Sequence, residues 1–250
     1  MQIILCNPRV SIITSVYDGD EFIEGFLENM VKQTIFDQCE LIMVNAYSPG
    51  YEEPVIRKYM QICPNIRYIK LDSDPGIYGV WNLCIQIARA PYIVNCNLDD
   101  RFAFDALEAH AKALDNDERV DLVYSDHYVT FQSNRTFKKR GPHKFVITPE
   151  CTKKNMLSCP PRNAPMWRKT LHEQHGFFDV RYKVKGDWEM WLRAVKGGAI
   201  FKKITGVYGL YYENPHSLSV RSKNLGVKEF RAIYKKYNEH FQWNLKVPNF

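Results

Sequence analysis

Four short apolar runs alternate with amphipathic stretches in the first hundred residues, and this alternation restricts the fold more than any other feature. The runs are rich in β-branched and aromatic residues and are shorter than buried helices usually are. They cover residues 10–14, 40–44, 66–71 and 92–94. Between them apolar residues recur at helical spacing, as Phe22, Phe26 and Met30 do. This order predicts an α/β fold with a mixed, mostly parallel sheet flanked by helices.

Polar loops follow all four predicted strands. Right-handed crossovers bring the carboxyl ends of parallel strands to one edge of a sheet, which is where open α/β sheets bind ligands. The loops cover residues 15–18, 45–48, 72–78 and 97–101. We therefore expect their side chains to converge on one binding site.

The loop after the fourth strand contains two adjacent carboxylates, Asp99 and Asp100. Two like charges at this spacing are unfavourable unless a cation lies close to them. Hard oxygen ligands suit Mg²⁺ or Mn²⁺, ions that proteins commonly share with the phosphates of a substrate. A solvated turn is the alternative interpretation, because aspartate is common in turns.

The segment of residues 132–165 differs from the rest of the chain. It combines basic side chains with glycine and proline, which predicts a long loop with a hairpin around Gly141 and Pro142. Loops of this length are usually functional lids or disordered inserts.

Two later helices carry polar groups of interest. Asp187 precedes a helix whose apolar stripe includes Trp188 and Trp191, and as an N-cap it would stabilise that helix by about 1 kcal/mol without catalysis. The helix predicted over residues 227–237 has one apolar and one basic face. A basic face is most often solvated, although it also suits a membrane surface.

Charge and cysteine content limit the partners and the location. The net charge of +6 suits an anionic ligand or a membrane surface, and without a basic stripe interleaved with aromatics it argues against nucleic acid. Seven cysteines with no Cys-x-x-Cys pair, together with the lack of a signal peptide, favour reduced thiols in the cytoplasm, with peripheral membrane contact left open. No apolar run approaches the ~20 residues of a membrane span.

Five motifs in sequence order resemble the family-two glycosyltransferases of the GT-A fold. None of the motifs is specific alone, but their order and spacing match over residues 9–220. They are residues 10–17 with Gln33 and Thr34, residues 44–48, residues 76–82, residues 97–100 and residues 186–193.

The resemblance implies where a nucleotide would bind. Ser15 and Tyr17 match the residues that hold the nucleotide, with Tyr17 against the base. Asn45 and Ala46 occupy the place of the usual Asp-Asp pair, whose second member contacts uracil. Asn45 or Tyr47 would then compensate for the missing carboxylate.

The resemblance also implies a donor and metal corner. Asn82, Asn97 and Asp99 are further donor contacts, with Asp99 at the ribose and Asn97 where many relatives have another Asp. Asp100 and Asp99 would hold Mn²⁺ or Mg²⁺, and His216 is a third candidate ligand whose alternative interpretation is a surface loop histidine.

The acceptor side rests on the later motif. Asp187 matches the catalytic base of the family's Glu-Asp motif, and Gly186 replaces the Glu. Trp188, next to this base, is expected to line the acceptor site.

These observations predict an inverting, metal-dependent transfer of a hexose from a nucleotide-sugar, with a UDP-sugar favoured, to a saccharide hydroxyl. The expected domain covers residues 1–220, divided into a nucleotide-sugar half (1–125) and an acceptor half (126–220), with a helical tail over 221–250. Two alternatives are a sugar-nucleotidyltransferase, which would need a Gly-rich loop after the first strand, and a weakly active or inactive carbohydrate- or nucleotide-sugar-binding protein.

Overall fold

The β-branched runs at the start of the chain form one half of a nine-stranded sheet. The structure is a computed structural model that describes residues 7–243. The four strands of this half run parallel in the order β3-β2-β1-β4. They are β1 (Val10–Val16), β2 (Cys39–Asn45), β3 (Ile66–Lys70) and β4 (Tyr92–Asn95), joined by helices α1 (Ile23–Val31), α2 (Glu52–Ile62) and α3 (Ile77–Ile87).

The other half of the sheet mixes strand directions. Its strands are β5 (Arg101–Phe102), β6 (Leu122–Thr130), β7 (His143–Val146), β8 (Met166–Arg168) and β9 (Phe201–Tyr212). The order continues β4-β8-β6-β9-β5, and β7 pairs with β6. Because β8 runs antiparallel between β4 and β6, both β6 and β9 point the same way as β1 to β4. The carboxyl ends of six strands therefore meet at one edge.

Helices cover both faces of the sheet, and the core has one part on each side. The remaining helices are α4 (Ala106–Asp115), α5 (Thr170–His175), α6 (Gly186–Lys196), α7 (Leu218–Arg221) and α8 (Lys223–Phe241). Ile12 and Ile13 are adjacent in β1 and both fully buried, but they belong to opposite core clusters. This follows from the alternation of side chains along a strand. The predicted fold class is confirmed.

The second half of the chain contains more strand than its pattern predicts. The hairpin around Gly141 exists: β7 pairs antiparallel with β6, and Gly141 has a φ of +65° in the connection. Residues 201–212 form the single long strand β9, and its pairing with β6 has a register irregularity at Asp126. Strand β8 has three residues, too few to produce a periodic signal.

The C-terminal helix belongs to the same core as α6. Its apolar side chains Ile233, Tyr234 and Tyr237 are buried as predicted, and the Tyr237 hydroxyl donates to Glu189 Oε1 at 2.7 Å. The division at residue 220 stays a prediction, and residues 1–6 and 244–250 of the predicted domains lie outside the described residues.

Within residues 7–243, no helix is long and apolar enough to cross a bilayer. The six cysteines of this range are free thiols, as expected for reduced cysteines, and Cys6 lies outside the described residues.

Candidate active site

Asp99 and Asp100, in the loop after β4, form an acidic corner. The end of β9 packs against it. Asp100 is only 4% exposed, and its Oδ1 accepts a hydrogen bond from the Tyr212 backbone N–H at 3.1 Å. Its Oδ2 lies 3.4 Å from Asn97 Nδ2 and 3.5 Å from Asn163 Nδ2. The strand order thus brings three distant parts of the chain around one carboxylate.

Asp99 is held beside it by a different loop. Its Oδ2 accepts a hydrogen bond from Asn214 Nδ2 at 3.1 Å, two residues beyond β9. The neighbouring Arg101 does not bond either carboxylate, because its guanidinium donates to the carbonyls of Leu98 and Asp100, both at 2.7 Å. Within the described range, neither Asp99 nor Asp100 forms an ion pair.

Without a paired cation, both Asp99 and Asp100 hold their protons more strongly than usual. Burial, followed by the charge of Asp99, raises the pKa of Asp100 well above its usual value. Burial also raises the pKa of Asp99, against the opposing effect of the bond from Asn214. A cation placed between the two carboxylates would lower both pKa values, so the corner is electrostatically suited to one.

The donor atoms of the corner fit a divalent ion with oxygen ligands. Besides the two carboxylates, Asn163 is buried and its Oδ1 has no hydrogen-bond partner. An amide oxygen and carboxylates are the ligand types that Mg²⁺ and Mn²⁺ accept. Nowhere between residues 7 and 243 do three His, Cys, Asp or Glu side chains converge as metal ligands. Mg²⁺ commonly uses one or two carboxylates and takes the rest from substrate phosphates and water.

His216 lies in the loop that covers this corner but is exposed to solvent. Its backbone N–H donates to Asn214 Oδ1 at 2.8 Å, while the other end of that amide bonds Asp99. The loop is therefore tied to the corner through Asn214. Metal ligation by His216 stays a prediction.

Asp187 is the second residue of α6, whose N-cap is Lys185, and it occupies a different environment. Its Oδ1 accepts a hydrogen bond from the Tyr78 hydroxyl at 3.1 Å, and burial raises the pKa of the carboxyl above its usual value. The preceding turn is held by Glu229 of α8, whose carboxylate accepts the backbone N–H groups of residues 183–185 at 2.6 to 3.0 Å. A partly dehydrated carboxylate of raised pKa is suited to accept a proton.

The segment of residues 159–163 lies close to both Asp100 and Asp187. Asn163 contacts Asp100, and four residues earlier the thiol of Cys159 has a pKa raised by burial and next by the charge of Asp187. Four residues span at most about 14 Å, so one short segment lies close to both Asp100 and Asp187. The exposed side chain of Arg162 lies in this segment, and its positive charge acts on Cys159.

Two aromatic rings stand at the ends of the neighbouring strands β1 and β2. Tyr17 is 47% exposed and Tyr47 is 65% exposed, and Tyr47 has a φ of +59°, which is uncommon for a residue other than glycine. Ser48 ties the loops together: its Oγ accepts the Asp18 N–H at 2.9 Å, and its own N–H donates to Asn45 Oδ1 at 2.8 Å. Both rings are thus presented to solvent on fixed loops.

Comparison with known families decides the assignment. The sequence profile of the family described as glycosyl transferase family 2 matches residues 11–175, which is more than half of the chain. This protein belongs to glycosyltransferase family 2. The resemblance predicted from the five motifs is confirmed.

Related proteins agree with this over most of the chain. The uncharacterized glycosyltransferase YwdF of Bacillus subtilis is 25% identical over 244 residues, covering 97% of this chain and 88% of that protein. Among solved structures, TarS 1–349 of S. aureus in complex with UDP-GlcNAc is 16% identical with a TM-score of 0.73, covering 95% of this chain and 68% of that one. The chain covers 46% of the longer TarS chain.

A further solved relative is the mannosyltransferase PcManGT from Pyrobaculum calidifontis in complex with GDP-Man and Mn²⁺. It is 16% identical with a TM-score of 0.67, and the match covers 97% of this chain and 66% of that one. At this identity the likeness shows the fold, and the glycosyltransferase has the GT-A architecture.

Two residues expected at the site from the family resemblance form other contacts in this glycosyltransferase. Trp188 is buried, stacks on Phe230 at 5.1 Å and donates from Nε1 to the Met156 carbonyl at 2.7 Å. It is therefore a core residue and presents no ring to an acceptor. Asn82 uses both ends of its amide on the backbone of Phe178, at 2.8 and 3.0 Å. A donor contact by Asn82 would require these bonds to break.

Three site residues were not assigned from the sequence. Asn163 and Asn214 reach the acidic corner only through the strand order, and an isolated asparagine gives no signal of such a contact. Tyr78 lies within the matched motif of residues 76–82, which was the available signal, but its bond to Asp187 crosses 109 positions of sequence.

Proposed function

We propose that this glycosyltransferase moves a hexose from a nucleotide-sugar, with UDP-sugars favoured, to a saccharide hydroxyl with inversion at the anomeric carbon. One observation carries the proposal: two separate acidic groups of different environment lie near the two ends of the segment of residues 159–163. Asp99 and Asp100 form a dense negative corner, whereas Asp187 stands apart with a tyrosine hydroxyl on one oxygen. Different environments suit different roles in glycosyl chemistry.

The donor is proposed to lie along the carboxyl edge of the sheet. The exposed ring of Tyr17 is available to the base, and Ser15, Asn45, Tyr47, Asn97 and Asp99 are the other proposed contacts. Position 46 offers no carboxylate to uracil. Ala46 is buried, and its backbone N–H donates to the Val16 carbonyl at 3.0 Å.

Asp99 and Asp100 are proposed to hold a divalent cation with the donor diphosphate, and the oxygen of Asn163 completes the protein ligands. Bound there, Mn²⁺ or Mg²⁺ would stabilise the charge that develops on the leaving diphosphate. Binding of UDP-GlcNAc by TarS and of GDP-Man with Mn²⁺ by PcManGT supports a nucleotide-sugar and a metal for this relative.

Asp187 is proposed to accept the proton of the acceptor hydroxyl. As that proton moves to the carboxylate, the hydroxyl oxygen forms a bond to the anomeric carbon on the face opposite the diphosphate. The bond from that carbon to the diphosphate oxygen breaks, and its electron pair leaves with the diphosphate. One displacement of this kind inverts the anomeric configuration.

The decisive experiment is a thermal-shift panel of UDP-hexoses and GDP-mannose with and without Mn²⁺. A ligand at 100 times its Kd stabilises the folded state by about 2.7 kcal/mol, or roughly 5–10 °C in Tm for a chain of this size. We expect a UDP-hexose to give the largest Mn²⁺-dependent shift. A larger shift with GDP-mannose would change the donor, and no shift with any of them would contradict the proposal.

An inactive binding protein is the second candidate, favoured by Ala46 and Gly186 at positions where the family carries acidic residues. The same panel followed by product analysis separates it: stabilisation without transfer of the stabilising donor to any saccharide acceptor would support this candidate.

Peripheral contact with a membrane is a further part of the proposal. Four exposed apolar side chains alternate with basic ones just beyond the loop that covers the acidic corner. The apolar residues are Leu218, Val220, Leu225 and Val227, and the basic ones are Arg221, Lys223 and Lys228. Exposed apolar groups flanked by positive charge suit the surface of an anionic bilayer.

Changing Val220 and Val227 together to glutamate is expected to reduce co-sedimentation with anionic phosphatidylglycerol vesicles at least tenfold. Ile62→Glu is the matched control, because Ile62 is a highly exposed apolar residue at the end of α2. Equal sedimentation of both variants and the unchanged protein would exclude this surface.

A further inference from the structure

Gly186 has no room for a side chain because of Tyr78. A Cβ added at position 186 would lie 2.7, 2.8 and 3.0 Å from the Cε2, Cδ2 and Cζ atoms of the Tyr78 ring. Real Cβ atoms essentially never approach a neighbour below 3.0 Å. The ring of Tyr78 thus takes the space beside the backbone that any larger residue at this position would need.

The same tyrosine reaches the neighbouring carboxylate. Its hydroxyl donates to Asp187 Oδ1 at 3.1 Å, and the pKa of Tyr78 is raised well above its usual value by burial and by the charge of Asp187. The hydroxyl therefore stays protonated as a donor throughout the neutral range. This bond fixes the Oδ1 side of the Asp187 carboxyl group.

The ring of Tyr78 is held firmly on its other sides. It is 5% exposed, stacks on Phe178 at 5.7 Å and 25°, and meets the edge of Trp81 at 5.4 Å and 86°. Phe178 is in turn fixed by the two bonds between its backbone and Asn82. This explains the structural use of Asn82: it supports the aromatic group that places the Tyr78 hydroxyl.

We propose that Tyr78 is the positioning residue of the base, taking over the place that the family's Glu leaves open at Gly186. The inference rests on the proposed role of Asp187. A hydrogen bond to the charged form of a carboxyl lowers its pKa, whereas burial raises it. With the backbone N–H of Trp188 and the charge of Lys185, the Tyr78 hydroxyl opposes the rise in the pKa of Asp187 that burial causes, and its bond to Oδ1 sets the orientation of the carboxyl group.

Tyr78→Phe tests this with the least disturbance, because the ring and its packing remain. Loss of the hydroxyl removes the bond that lowers the pKa of Asp187, so the acid limb of kcat/KM is expected to move up by about one pH unit. At pH values below this limb kcat/KM should fall about tenfold, and at higher pH it should fall less. The KM for the donor should stay unchanged.

Gly186→Ala is the second variant, since its Cβ would push the Tyr78 ring away from Asp187. It should move the acid limb in the same direction. Gly226→Ala in α8 is the control: a Cβ there would meet Val184 Cγ1 at an ordinary 3.5 Å, and the pH profile should stay unchanged.

A purely structural role for Tyr78 would lower the Tm of Tyr78→Phe and leave the pH profile of kcat/KM in place, and that result would overturn the inference. Asp187→Asn separates this from failure of the proposed function. If Asp187→Asn is inactive and Tyr78→Phe keeps the normal profile, only the positioning role is wrong. If Asp187→Asn transfers sugar at the normal rate, the base assignment and the positioning role are both wrong.

Discussion

Asp187→Asn is expected to reduce sugar transfer by about 10²–10⁴-fold, the usual contribution of a positioned general base. The amide keeps the shape of the carboxyl but cannot accept the proton of an acceptor hydroxyl. Donor affinity should remain within about twofold, because the donor is proposed to bind at Asp99 and Asp100 and not at Asp187. Single-turnover transfer and a calorimetric donor titration measure the two quantities separately.

Asp179→Asn is the matched control for this change. Asp179 is a carboxylate eight positions earlier, paired with the exposed side chain of Arg181, and asparagine keeps an oxygen that can accept the Arg181 backbone N–H. Transfer by this variant should be close to normal. A normal rate for Asp187→Asn would require another base.

Asp100→Asn is expected to abolish metal-stimulated donor binding while making the metal-free protein more stable. The pKa of Asp100 is raised in the folded protein by burial and by Asp99. For such a group the free energy of unfolding falls as pH rises through the folded pKa, so at neutral pH the carboxyl destabilises the fold. A neutral amide removes this cost, and each kcal/mol recovered raises Tm by about 2–4 °C at this chain length.

Two measurements check this pair of effects: Tm in EDTA and calorimetric titration with Mn²⁺ in the presence of UDP. A variant that binds Mn²⁺ normally would exclude Asp100 as a ligand, and a lower Tm in EDTA would contradict the electrostatic argument. Such a trade between function and stability is common at binding sites.

Gly209→Ala provides a second variant that keeps both carboxylates. A Cβ at position 209 would lie 1.9 Å from Asn163 Oδ1, so Asn163 must move away from Asp100. Mn²⁺ binding should weaken although the acidic pair is intact. Unchanged binding would remove Asn163 from the proposed ligands and leave the role of Asp100 untouched.

The parallel half of the sheet is predictable because each of its strands is a run of β-branched residues with a helix of clear periodicity behind it. The acidic corner follows from the same pattern, since Asp99 and Asp100 lie in the loop that follows β4. The groups that form hydrogen bonds with this corner cannot be predicted from the pattern. Tyr212 and Asn214 reach it because β5, which begins at Arg101, pairs with β9, and a strand of two residues gives no periodic signal.

Trp188 shows how two inferences from the same residues can conflict. The helical spacing of Trp188, Trp191 and Leu192 predicted a buried stripe, whereas the family resemblance suggested an acceptor contact. The structure agrees with the periodicity, because the indole of Trp188 is buried and packs between α6 and α8. The bond between Tyr78 and Asp187 was beyond either approach, since it depends on how the starts of α3 and α6 meet.

The bonds from Glu229 to the turn before Asp187 also set an order of events during synthesis. The turn at residues 183–185 is made 44 to 46 positions before the carboxylate that holds it. At 5–20 residues per second this interval lasts about 2–9 s. All nine strands and the acidic corner are therefore synthesised before Glu229, and the turn that precedes Asp187 gains these three bonds only after α8 has been made.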